Sequence, residues 1–121
     1  TADEVLRLQQ AVKDVHVDES VLEYTVRLVQ ATREHPDVYL GASPRGSIAL
    51  YRTSQALALM RGRSYVTPDD VKEMAPLVLS HRMILRPEAQ LRSGGAEALV
   101  RALLQQVPVP AGVSGHAARR A

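Results

Sequence analysis

The stretch Leu40-Gly41-Ala42-Ser43-Pro44-Arg45-Gly46 lies between two long helical patterns, and its reading decides the fold. Gly41 predicts a tight turn with positive φ. Ser43 is a good N-cap, and Pro44 falls at the first helical position, where its missing N–H costs nothing. Arg45 then sits in the first turn of a helix, where the helix dipole already places partial positive charge. A cation at this spot is favoured by an anion close by. A helix N-terminus with free N–H groups plus a guanidinium fork is equipped to read a phosphate. Ser43, Pro44 and Arg45 are therefore a candidate anion-binding group.

The helix that follows runs from Pro44 to about Arg61, with Ala49, Leu50, Thr53, Ala56, Leu57 and Met60 expected to face the core. Gly62 stands just past its end, as a C-cap would. Arg45 and Arg52 are two turns apart on one edge, so both are placed to look toward one ligand. Before the central stretch, Asp18 caps a helix reaching about Glu34. Val21, Leu22, Thr25, Leu28, Val29 and Thr32 form its apolar stripe, and Glu23 and Arg27 make an i,i+4 pair on the other side. His35-Pro36 ends it, because the residue before proline is pushed out of the α region. Residues 36–43 read as a loop.

At the start of the chain, residues 3–13 read as a helix, with Val5, Leu8 and Val12 at helical spacing and Asp3 and Glu4 at the positive end of its dipole. Further on, Thr67-Pro68-Asp69-Asp70 is a helix start: cap, proline at the first position, acids in the first turn. Val66 and Val71 are placed to form a hydrophobic staple across it. Val71, Met74 and Ala75 give this helix its apolar side. Pro76 is expected to break or kink it, with a continuation through Leu77, Val78, Leu79 and Arg82. Arg86-Pro87 marks a boundary, and residues 96–106 read as a last helix, with Leu99, Leu103 and Val107 on one side. Val15-His16-Val17 and Tyr65-Val66 are short strand candidates, each just before a helix cap, and two such stubs are expected to pair as a minimal sheet. From Pro108 onward Pro, Gly, Ser and Ala dominate without periodicity, so 111–121 reads as a flexible tail or linker. The predicted fold is all-α: a small bundle of four to five helices over residues 1–110, with at most two very short strands.

Composition narrows the function. The chain has 121 residues, enough for one domain. With no Phe and no Trp, its core must come from Leu, Val, Ala, Ile and Met, which suits closely packed small helices. The absence of Cys removes disulfides and thiolate metal sites and fits a cytoplasmic protein. No apolar run approaches the roughly 20 residues of a membrane helix. Thr1 is not an initiator Met, so the chain is expected to be a fragment or a processed product. The net charge is only +2, and the basic residues are spread along the chain instead of clustered among aromatics. Nucleic acid is therefore not expected as a partner.

Other chemistries fail at named residues. Gly41 and Gly46 have the spacing of a P-loop, but Ser47 stands where Lys is needed and Ile48 where Ser or Thr would hold magnesium. Ser43 lacks the G-x-S-x-G frame of a nucleophile elbow. The four His residues share no metal-ligand spacing, and no metal site is expected. The acids gather at helix starts, where capping and dipole roles account for them.

The ordered combination of these features resembles the small C-terminal helical lid of MoxR-type AAA+ ATPases. Leu40 to Arg45 is similar to the sensor 2 motif of that family. The resemblance covers roughly residues 3–110, through Val17, Tyr24, Ala31-Thr32-Arg33, His35-Pro36, Ala58-Leu59, Gly62-Arg63, Tyr65 to Val71, Leu79 and His81-Arg82. One departure is Gly46, where the family more often has Ala. Glycine lowers helix propensity by up to about 1 kcal/mol there, which predicts a looser turn under Arg45.

The resemblance implies a lid that follows an αβα nucleotide-binding core. Arg45 would be its catalytic residue, reaching the γ-phosphate of ATP held by the core, with Ser43 and Pro44 beside it. Magnesium would be held by the core, and this chain alone would bind no cofactor. Nucleotide state would set the lid–core angle within a ring, usually a hexamer, driving chaperone-like remodelling with von Willebrand factor A domain partners. Lacking a P-loop, magnesium-binding acids and an arginine finger, the chain by itself is not expected to hydrolyse ATP. The alternative is a free-standing helical interaction module that binds protein or nucleic acid.

Overall fold

In the computed structural model, residues 1–91 and 94–110 are described, and the stretch 111–121, read above as a tail or linker, lies outside the described residues. Five helices carry the fold: α1 (Ala2–Lys13), α2 (Glu19–Glu34), α3 (Pro44–Met60), α4 (Pro68–Leu79) and α6 (Gly95–Gln106). Between α4 and α6 come a 3-10 turn (Ser80–Arg82) and the four-residue α5 (Pro87–Gln90). Two very short strands, β1 (Val38–Leu40) and β2 (Ile84–Leu85), complete an all-α bundle. α3 is its hub and packs against α4, α2 and α1, while α4 and α2 both reach α6.

The helix starts are those that the capping residues dictate. Asp18 accepts from the Ser20 N–H at 3.1 Å, and Ser43 Oγ accepts from the Arg45 N–H at 3.2 Å. At α4 a full capping box forms: Thr67 Oγ1 accepts from the Asp70 N–H at 3.3 Å, and Asp70 Oδ2 accepts from the Thr67 N–H at 2.8 Å. Val66 and Val71 on either side of this cap are both buried, as a hydrophobic staple requires. The end of α3 is equally local. Gly62 has φ +76, its N–H reaches the Leu59 carbonyl at 2.9 Å, and the Arg63 N–H reaches the Ala58 carbonyl at 2.9 Å. These are the two bonds of a Schellman motif.

The same turn delivers Arg63 to the start of α4. Its two Nη atoms donate to Asp70 Oδ2 and Oδ1 at 2.6 and 2.5 Å. Asp70 is fully buried, so its charge needs these partners. Arg61 Nη2 donates to both carboxylate oxygens of Glu73, at 2.8 and 2.7 Å. The end of α3 is thereby locked to the first turns of α4.

Four expectations change in the folded chain. First, the stubs Val15–Val17 and Tyr65–Val66 do meet, but only as a single parallel bridge, His16 to Tyr65. The two-stranded sheet is β1 against β2, antiparallel, with Val38 opposite Leu85 and Leu40 opposite Ile84. Strands of three and two residues leave no periodicity to read, and their partners are far apart in sequence.

Second, the buried face of α3 is Gly46, Leu50, Ser54, Gln55 and Ala58, while Met60 is 84 % exposed. Two polar residues depart from an apolar stripe: the buried Ser54 hydroxyl has no hydrogen-bond partner among the described residues, whereas Gln55 is accounted for by a bond to backbone. Its Nε2 donates to the Val15 carbonyl at 2.8 Å, tying the end of α1 to α3. Third, α1 contributes no buried residue, and Val5 and Leu8 are 54 % and 61 % exposed. Fourth, Pro76 does not break α4, which continues through Leu77 and Val78 to Leu79 as expected and stops short of Arg82. Pro76, Val78 and Leu79 are buried, so packing holds the helix together past the proline, and the Ser80 hydroxyl donates to the Pro76 carbonyl at its end. The α2 stripe stands as the spacing places it, except that Tyr24 is buried in place of Leu22.

Candidate functional site

The site begins at the C-terminal turn of α2. Thr32 is fully buried, and its hydroxyl donates to the Val29 carbonyl at 2.6 Å. The same oxygen accepts from the Ala42 N–H at 3.1 Å. Arg33 Nε donates to the Ala42 carbonyl at 2.8 Å. Ala42 is fully buried and lies between β1 and α3, in neither ladder, so its peptide groups depend on these side chains. Sequence reading missed both partners. Thr32 reads there as one more residue of an apolar stripe, and the only signal for its second task is that it is the polar member of that stripe nearest the loop.

Gly41 is required for a different reason from the one its place in a turn suggests. Its φ is not among the positive values, which belong to Gly62, Gly94 and Gly95 among the described residues. A Cβ at Gly41 would lie 2.6 Å from Arg33 Cα and 2.8 Å from Arg33 N. The glycine is there because loop backbone touches helix backbone. Gly46, on the next turn, is a milder case, close to a side chain and not to backbone. It is buried, and a Cβ would stand 3.1 Å from Ala42 Cβ. The predicted looseness at Gly46 is thus replaced by close packing of α3 onto Ala42.

Ser43, Pro44 and Arg45 come next, at the N-cap, first and second positions of α3. The Arg45 N–H is taken by Ser43 Oγ and the Gly46 N–H by the Ser43 carbonyl at 2.8 Å. Pro44 has no N–H. The first amides of this turn are therefore used locally, which leaves two groups to meet an anion: the proton of the Ser43 hydroxyl and the Arg45 guanidinium. Arg45 is exposed and has no hydrogen-bond or ion-pair partner for its side chain among the described residues. Pro44 shapes the turn. Arg52 differs from Arg45: its Nη1 donates to Gln55 Oε1 at 3.0 Å and its guanidinium sits 5.4 Å from the Tyr51 ring centre. The two arginines share an edge, but only Arg45 is uncommitted. Arg82 Cδ lies 3.8 Å from where a Gly46 Cβ would be, so a second cation stands beside this turn.

The fold has known counterparts. Residues 30–103 match the model of the AAA lid domain family. The chain is 50 % identical over 108 residues to the protein YeaC of Bacillus subtilis, covering 89 % of this chain and 34 % of that protein. It is 37 % identical over 116 residues to the chaperone MoxR1 of Mycobacterium tuberculosis, covering 88 % and 31 %. A solved structure of a proposed ATPase from Cytophaga hutchinsonii superposes with a TM-score of 0.84 at 32 % identity, over 89 % of this chain and 36 % of that one. The chain thus spans about a third of the length of these relatives. The match includes the C-terminal end of α2, the Ser43–Arg45 turn, α3, α4 and most of α6. The chain belongs to the AAA lid domain family and is a lid of the MoxR-type AAA+ ATPases.

Proposed function

We propose that Arg45 is the sensor 2 arginine of this lid. Joined to an αβα core that binds ATP and magnesium, the lid brings the Arg45 guanidinium to the γ-phosphate, with the Ser43 hydroxyl as a second donor and Pro44 setting the turn. ATP supplies the free energy of phosphoryl transfer. The contribution of this chain is a charge-assisted contact that is present with one nucleotide state and lost with the other. The lid–core angle then reports hydrolysis to neighbouring subunits of a ring, a hexamer. Its output is chaperone-like remodelling in the cytoplasm, together with a von Willebrand factor A domain protein. The name of MoxR1, a chaperone, supports that output.

The observation that carries this reading is that Arg45 is an exposed, unpartnered cation on a rigidly capped first turn, where the helix dipole disfavours a positive charge. A solvated surface role does not call for a turn clamped from three sides.

The test is Arg45→Ala in the core-joined ATPase. Turnover falls by about 10- to 1,000-fold, the range for removing one preorganised donor from developing charge. The thermal midpoint stays put, because Arg45 fills no cavity. Arg45→Lys rescues poorly, since an ammonium does not reproduce the planar two-donor fork. Arg52→Ala does less harm, its guanidinium being already engaged by Gln55. Wild-type ATP hydrolysis by Arg45→Ala would refute the assignment.

A further inference from the structure

We propose that Thr32 and Arg33 are positioning residues for Arg45: a two-sided clasp on the Ala42 peptide that fixes where the first turn of α3 points. The proposal rests on the sensor reading of Arg45 and goes beyond it by naming what aims the guanidinium. Consecutive residues of a helix do not face the same way. Thr32 and Arg33 use this to approach Ala42 separately, one taking its N–H and the other its carbonyl. The Thr32 hydroxyl has one proton, committed to the Val29 carbonyl, so the lone pair turned to Ala42 is held in orientation. The β1–β2 pairing stops at Leu40, leaving the chain from Gly41 to Ser43 outside the sheet.

Contact geometry makes the clasp stiff. Gly41 lies so close to the Arg33 backbone that no Cβ fits between them, and Gly46 packs against Ala42 less tightly, with 3.1 Å from a Cβ there to Ala42 Cβ. Displacing Ala42 therefore displaces both the end of β1 and the first turn of α3. Arg45 stands three residues from Ala42, within that turn. A side chain that must meet one phosphate needs its Cα placed to a fraction of an ångström, and supporting hydrogen bonds supply that placement.

The experiment is a double-mutant cycle in the core-joined ATPase, read by ATP turnover, KM and thermal midpoint. Thr32→Val keeps the shape and removes the acceptor, and kcat should fall by about 10- to 100-fold, the scale on which misplacement of about 1 Å acts. Thr32→Ser restores the hydroxyl and should recover to within about twofold of wild type. Arg33→Ala, at an exposed side chain, should lower kcat in the same direction and decides the matter if Thr32→Val does not fold. In the Arg45→Ala background each change should cost several-fold less than it does with Arg45 present, because the main group to aim is gone and only the Ser43 hydroxyl remains. Near-wild-type turnover in both Thr32→Val and Arg33→Ala, with Arg45→Ala impaired, overturns the clasp and leaves the sensor reading standing. Equal losses with and without Arg45 also overturn it, since they mark a general effect on the fold. Wild-type turnover in Arg45→Ala removes the sensor reading and the clasp with it.

Discussion

Asp70→Asn puts the link between α3 and α4 under direct test. In the wild type, the Asp70 carboxylate accepts from Arg63 at 2.5 and 2.6 Å and from the Thr67 N–H at 2.8 Å, and Arg61 Nη1 stands 3.7 Å away. Asparagine keeps one acceptor oxygen and turns an amide NH2 toward a donor. A charge-assisted hydrogen bond is worth about 1.5–3 kcal/mol and a neutral one about 1 kcal/mol, so one to two charge-assisted bonds are lost or weakened. The Arg63 side chain is 23 % exposed, so water recovers part of the loss. The expected cost is about 2–4 kcal/mol. For a domain of this size that lowers Tm by about 8–16 °C.

The pH dependence of this variant has a definite sign. Burial raises the Asp70 pKa, but the Arg63 hydrogen bonds and the Thr67 amide outweigh it and hold the carboxyl below its ordinary 3.8. A carboxyl depressed in the folded state stabilises fully above its unfolded pKa, and that stability is lost as pH falls through the folded value. The gap between wild type and Asp70→Asn in urea unfolding should therefore be full at neutral pH and narrow in acid. A gap under about 0.5 kcal/mol at neutral pH would refute the magnitude, and one undiminished at about pH 2 would refute the electrostatic cause.

Two further substitutions separate the cap from the site. Thr67→Ala removes the acceptor for the Asp70 N–H but leaves the Arg63 pair, so it should cost about 0.5–2 kcal/mol with no change in ATP turnover of the core-joined protein; an unchanged urea midpoint would sink the capping assignment. Gly41→Ala drives a methyl group to 2.6 Å from Arg33 Cα, which only a backbone shift relieves. It should destabilise by about 1–3 kcal/mol, and an unaltered thermal midpoint would show that the approach is not close.

Much of this protein is legible in one dimension because much of it is local. An N-cap acts within three residues and a Schellman turn within six, so Asp18, Ser43, Thr67 and Gly62 announce their helix ends in sequence. The α2 stripe is equally local, since one face of one helix meets the core along its whole length. Arg45 is visible for the same reason: its oddity is its place in a first turn. What tertiary structure decides is everything that depends on a partner distant in sequence. β1 and β2 are too short to carry a period and exist because Val38 meets Leu85. Gln55 belongs to the buried face of α3, where its amide donates to the Val15 carbonyl 40 residues away. Gly41 looks like a turn glycine and is one of close approach, because Arg33 lies against it only in the folded chain. The clasp of Thr32 and Arg33 on Ala42 joins residues nine and ten apart across a change of direction. No periodicity spans such a gap, because the need it meets, a buried peptide outside any ladder, arises only once the helices have packed.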